Sequence, residues 1–259
     1  MLAKEFLDGY DCKARLIPTA ITLAPAFWTL YYFYPSSVSS PLSLAASGLM
    51  CVALTYLASM YVRDLGVRFA GKFWKERDGL PSTRLVRMRD QFLSAGQKRR
   101  IHQAVQARFG IELLPPEDET YYASVADRKI IDAFREIKEF LRRHDSSGLV
   151  AKHAAEYGFA RNLCGGRLVF VAEAAIWIVV CGFREHGPHW ALTPGVVVNL
   201  LLLALWVPFA WRALPRMLEL CANAYAERAW ITFLSLTEDA GKKMSVSVGT
   251  TTVLQNRFG

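Results

Sequence analysis

The sequence predicts an all-α membrane protein: four transmembrane helices, both termini in the cytoplasm, and a helical cytoplasmic domain inserted between the second and third spans. Three observations carry this. Apolar residues make up 53% of the 259-residue chain, above the soluble average of about 45–50%. The charges avoid four stretches and crowd between them. Finally, no segment before the C-terminal tail alternates apolar and polar residues as a half-buried strand would.

Residues 16–34 hold no ionisable group except tyrosine, and the same is true of 42–62. Residues 190–211 form a third such run, while 168–183 is shorter and carries one acid, Glu173. A helix rises 1.5 Å per residue, so ~30 Å of hydrocarbon takes about 20 residues. The short run needs its uncharged lead-in, 162–166, or a thinned bilayer. The first fifteen residues contain Lys4, Glu5, Asp8, Asp11, Lys13 and Arg15, and no small-residue cleavage site follows a short apolar core, so the first run is expected to stay as an anchor.

Lys and Arg in short loops set orientation. The arm 1–15 carries three, the hairpin 35–41 none, the stretch 63–167 twenty-one, the hairpin 184–189 one and the tail six. Thirty of the thirty-one cations thus lie on one side, which is the cytoplasm of a bacterial inner membrane. The expected organisation is a cytoplasmic arm (1–15), a transmembrane hairpin (16–62), a basic helical domain (63–166), a second hairpin (167–214) and a cytoplasmic helix and tail (215–259).

Within the basic domain, residues 63–77 continue the second span until Gly79-Leu80-Pro81 stops it. Residues 98–108 form a short helix ended at Gly110. Pro115-Pro116-Glu117-Asp118-Glu119 is a helix start, with proline and acids where the dipole favours them, and the helix runs to about Arg143. Ile130, Phe134, Ile137 and Leu141 share one face of it. Asp145-Ser146-Ser147-Gly148 breaks the chain, and Gly165-Gly166 marks a kink at the membrane surface. The helix from Pro215 is expected to pack on the central domain. The run 246–254 (VSVGTTTVL) reads as an added strand or a disordered end.

Glu173 is the sharpest single residue. A charge at mid-bilayer costs ~2.5–3.5 kcal/mol on the lenient insertion scale, and this one lies about 9 Å into its span. It either faces a pore, where a ring of acids in an oligomer favours cations, or snorkels or is protonated at the interface. Asn199, mid-way in the fourth span, either lines the same path or hydrogen-bonds between helices. The cations Arg84, Arg87, Arg89, Lys98, Arg99 and Arg100 fall within seventeen residues. They suit either anionic lipid or the phosphates of a nucleotide or nucleic acid, with Phe92 and Trp74 near for stacking. The five cysteines have no metal spacing and read as packing residues. No P-loop, HExxH or GxSxG pattern appears. Neither enzyme activity nor a cofactor or metal is expected.

The pieces YDCKARLIPTAITLAP (10–25), DLGVRFAGKFWKERDGLPSTRLVRMRD (64–90), KRRIHQAVQARFG (98–110), LLPPEDE (113–119) and KHAAEYGFARNLCGGR (152–167) resemble a family of bacterial multi-span membrane proteins. The architecture is similar to the membrane effectors of nucleotidyltransferase-linked anti-phage systems of the Hailong type. That resemblance implies a homo-oligomeric channel, a tetramer favoured, that depolarises the membrane. It also implies a partner nucleotidyltransferase whose nucleotide or single-stranded DNA product binds the cytoplasmic domain and controls the gate. It supplies no catalytic residues. The alternative is a membrane-anchored scaffold or sensor that recruits a soluble partner.

Overall fold

The computed structural model describes residues 9–33, 41–186 and 192–255, and the side chains of all of these except 41–46, 185, 186 and 240–255. Both outer hairpins anticipated from the sequence, 35–41 and 184–189, lie largely outside the described residues. Every regular element described is helical. In chain order these are α1 (Gly9–Thr22), α2 (Ala24–Phe33), α3 (Pro41–Lys75), α4 (Pro81–Arg84), α5 (Ala95–Phe109), α6 (Pro116–Tyr121), α7 (Ala123–His144), α8 (Leu149–His186), α9 (Pro194–Pro208) and α10 (Leu214–Gln255). π-helical turns occur at Cys12–Leu16 within α1 and at Phe209–Ala213 between α9 and α10.

Two stretches are long and apolar enough to cross a membrane: Leu149–Arg184 and Pro194–Asp239. The pair α1 and α2 makes a third if counted as one span, bent by 54°. The remaining apolar run, 42–62, is helical within α3, but its first residues are among those whose side chains are not described. Large apolar side chains face outward on these helices: Leu49 (73% exposed), Leu57 (64%), Leu168 (62%) and Leu205 (73%). In water, exposed apolar faces of this kind are costly. A lipid environment removes that cost.

The chain divides into two compact units, the first of residues 1–76 with 154–221, the second of residues 77–153 with 222–259. In the first, glycines let helices meet backbone to backbone. A methyl on Gly165 would lie 2.5 Å from the Gly66 Cα and 2.6 Å from the Leu65 carbonyl carbon. One on Gly166 would press on the Thr22 side chain. α8 continues unbroken through Gly165-Gly166, where the sequence suggested a kink. The missing side chains serve close approach of α3 and α1, as small residues do between membrane helices. Asn162 Nδ2 donates to the Ala14 carbonyl at 2.6 Å and fastens α1 beside the same crossing. Arg167 lies over the rings of Phe69 (4.6 Å) and Trp211 (5.0 Å), a cation–π pairing that suits a guanidinium at a membrane boundary.

The second unit has its own core. The predicted stripe Ile130, Phe134, Ile137 and Leu141 is buried and packs with Leu85, Val86, Ile101 and Val105 from the preceding segments. α10 supplies Ala226, Ala229, Trp230 and Phe233 to that core. The fully buried Trp230 donates its indole N–H to the Ser82 carbonyl at 2.9 Å. Local stops fall where the sequence places them. Asp78 and Gly79 take positive φ (58° and 102°) after α3. α5 begins with a Ser94/Gln97 capping box and ends at Gly110, φ 68°, which satisfies orphan backbone groups at both ends. Two expectations change. The helix begun at Pro116 is interrupted at Tyr122 (φ −118°, ψ 47°) and restarts as α7. The run 246–254 is not a strand: α10 continues through it to Gln255.

Candidate functional site

The first span, expected as one helix, is broken. α1 ends at Leu23, whose backbone (φ −89°, ψ 5°) leaves the helical well, and α2 starts at Ala24-Pro25. Pro25 has no N–H to continue the ladder and crowds the preceding turn. The helix hydrogen bonds resume with Phe27 N–H to the Leu23 carbonyl at 3.1 Å. Among the groups released by the break is the Ala26 N–H, which donates to the Glu173 carboxylate of α8. A carboxylate at the start of a half-helix sits where the helix dipole is positive. Discontinuous membrane helices hold ions in this way. The other carboxylate oxygen, Oε2, is buried and has no hydrogen-bond partner.

Asn199 of α9 is fully buried and turns to the same half-helix. Its Nδ2 donates to Thr29 Oγ1 at 3.2 Å and to the Gly195 carbonyl at 2.9 Å, while its Oδ1 is buried without a partner. Ala26 and Thr29 are three residues apart, hence neighbours on one face of α2. The two polar residues picked out of the apolar runs thus converge on one turn of α2, and each leaves an acceptor oxygen unsatisfied. A buried acceptor without a donor costs about 1–3 kcal/mol.

The basic groups of the second unit are mostly turned to the domain's own acceptors. Arg87 is 2% exposed. It makes a bidentate pair with Asp127 (Nε 2.7 Å, Nη2 2.6 Å) and donates Nη1 to Asp78 at 2.6 Å. Burial opposes its charge, but Asp127 and Asp78 outweigh that and raise its pKa. Arg89 adds a longer pair to Asp78, 3.4 Å. Arg84 reaches Asn223 at 3.3 Å and lies 3.8 Å from Asp90. Lys98, 1% exposed, donates to the Asp90 carbonyl. Burial lowers its pKa despite the nearby Asp90 and Glu119. Arg100 pairs with Glu238, its Nε at 2.9 Å. Arg99 is exposed.

No family model, curated protein or solved structure matches this chain. The site is therefore read from its own geometry.

An open groove of about 730 Å³ in the second unit was not foreseen. It is lined by Arg100, Arg108, Phe140, His144, Leu236 and Glu238, among others. Arg108 sits 5.2 Å over the Phe140 ring, and His144 stacks on that ring at 4.3 Å. Cations beside stacked rings suit an anionic aromatic ligand. The signal in the sequence was faint: Phe140 and His144 lie four apart on α7, just off the apolar stripe, and Arg108 was read only as the end of a helix. His102 is also in this unit, with Nε2 3.2 Å from the Val86 carbonyl. Burial lowers its pKa.

Proposed function

We propose that this chain is a membrane effector that assembles into an oligomeric, ion-permeable channel, a tetramer favoured, and depolarises the bacterial inner membrane in anti-phage defence. Its four spans would be 16–34, 42–62, 168–183 with its lead-in, and 190–211, with both ends in the cytoplasm. The two long apolar helices, the bent pair and the helical run in α3 support that count, and the charge asymmetry supports the orientation. The observation that carries the channel reading is Glu173: a carboxylate inside an apolar bundle, held by a freed backbone N–H at a helix break, with one oxygen left over. Repeated by symmetry, it would form an acid ring that selects cations.

Control is assigned to an anionic nucleotide or single-stranded DNA, made by a partner nucleotidyltransferase, in the groove of the second unit. Arg100, Arg108, Phe140 and His144 support this placement. Of the six cations first singled out, only Arg100 lines the groove, where it also pairs with Glu238. The engagement of Arg84, Arg87, Arg89 and Lys98 by internal acceptors favours structural roles for them. It is also the one observation that favours the scaffold reading.

Membrane-potential dye uptake in cells expressing the chain, with and without a partner nucleotidyltransferase, tests the function. Depolarisation is expected, and its absence in both cases would favour the scaffold. In planar bilayers Glu173→Gln should lower cation conductance. Wild-type conductance with unchanged selectivity would remove Glu173 from the pore.

A further inference from the structure

α1 and α3 enclose a crevice with a polar end and an apolar end. The polar hollow, about 310 Å³, is lined by Asp11, Arg15, Leu16, Tyr56, Ser59, Met60 and Arg63. The apolar hollow, about 240 Å³, is lined by Leu16, Ile17, Ala20, Cys51, Val52 and Thr55. Leu16 belongs to both, so they adjoin. Along α1 the lining passes from charged to apolar with rising residue number, and along α3 with falling number. One gradient of polarity therefore runs through the whole crevice.

The charge at the polar end is unbalanced. Arg15 and Arg63 both line it, and Arg161 of α8 lies within electrostatic reach of the two. Among the described residues the one acid lining it, Asp11, already pairs with Arg15 at 3.2 Å. Arg15 keeps a third of its side chain exposed (33%), and Arg63 is exposed. Among the described residues, three cations against one carboxylate leave room for an anion. The apolar hollow next to it offers one hydroxyl, Thr55, and otherwise only hydrocarbon and a thiol. A free phosphate or a nucleotide would leave that hollow unused.

We propose that this crevice is a binding site for an anionic phospholipid, with its phosphate between Arg15 and Arg63 and one acyl chain lying along Leu16, Ile17, Ala20, Cys51 and Val52. The inference rests on the membrane reading of α1 and α3. It places Arg15 and Arg63 at the cytoplasmic boundary, where basic pockets between spans meet lipid headgroups.

The test uses the full-length protein in nanodiscs made from equal phosphatidylglycerol and phosphatidylcholine, with lipid retained after detergent extraction counted by native mass spectrometry. Wild type should retain phosphatidylglycerol preferentially. At about fivefold per basic group, Arg15→Gln with Arg63→Gln should cut that preference by about twenty-five-fold. Arg63→Gln alone should cut it about fivefold should the pair fail to fold. Cys51→Trp, which fills the apolar hollow and touches no charge, should also lose the lipid. Arg128→Gln, an exposed charge elsewhere, should not change it. Equal preference in wild type and both site variants overturns the proposal. So does retention by Cys51→Trp together with displacement by inorganic phosphate, which would assign the cations to free phosphate. Failure of the membrane reading looks different: the chain would then leave the membrane fraction altogether.

Discussion

Gly165→Ala tests the crossing of α8 and α3 most directly. The new methyl would lie 2.5 Å from the Gly66 Cα and 2.6 Å from the Leu65 carbonyl carbon. Both are backbone atoms, so no side chain can rotate away. Ordinary contact begins near 3.4 Å, and the helices must part by about 1 Å. A gap of that size forfeits a quarter to a half of the dispersion energy of the pairs it opens, and overpacking costs about 1–3 kcal/mol, occasionally more. Alanine returns at most ~1 kcal/mol of helix propensity. A net loss of about 2 kcal/mol would lower the melting temperature by about 4–8 °C in a chain of this length. Gly71→Ala is the matched control. It lies on α3 with nothing within 4 Å of its Cβ position, so only the propensity gain applies and the melting temperature should rise by about 2–4 °C. Gly66→Ala would meet the Asn162 side chain at 2.6 Å and the Arg161 carbonyl at 2.9 Å. Added to Gly165→Ala it should cost less than it does alone, since the helices have already parted. The assay is tryptophan-fluorescence melting of detergent-purified protein. If Gly165→Ala and Gly71→Ala both melt above wild type, the backbone crossing does not exist.

Arg87→Ala should destabilise the second unit by about 2–3 kcal/mol, less than the 3–5 of a fully buried pair because Asp78 stays 68% exposed; urea melts followed by circular dichroism check it, and an unchanged midpoint would refute the pairing. His102 binds its proton less readily folded than unfolded, so its contribution is complete above the usual histidine value of 6.5 and is lost as pH falls below it. Melting between pH 7 and 5 should therefore fall in wild type and flatten in His102→Gln, and parallel profiles would place His102 in water. Asn199→Leu removes the bonds to Thr29 and to the Gly195 carbonyl together with a buried oxygen that has no donor, so the melting temperature should move by less than 3 °C; a drop above 8 °C would show that the amide has a further partner.

The local punctuation of the second unit was legible in the sequence, because capping, glycine stops and the stripe on α7 depend on residues within one or two turns of each other. The long-range terms were not. Arg87 finds Asp127 forty residues away, and nothing in a run of cations says which face inward. Gly165-Gly166 was legible as special but not in kind, since the same pair serves a kink or a close approach and only the partner helix decides. Pro25 stands in plain view inside the first span, yet its consequence depends on Glu173, about 150 residues later. The groove stayed hidden because α5, α7 and α10 meet only through tertiary packing.

The break at Leu23 has a consequence for how the chain enters the bilayer. α1 is about 21 Å long and α2 about 15 Å by helical rise, and neither reaches across ~30 Å of hydrocarbon. The groups that hold the bend, Glu173 against Ala26 and Gly166 against Thr22, belong to α8 and leave the ribosome long after α1 and α2. The nascent first span is thus expected to insert as one straight rod and to fold over at Leu23 only when α8 arrives. Biogenesis would then pass through an intermediate with a different first helix, in which the Ala26 amide still belongs to its own helix.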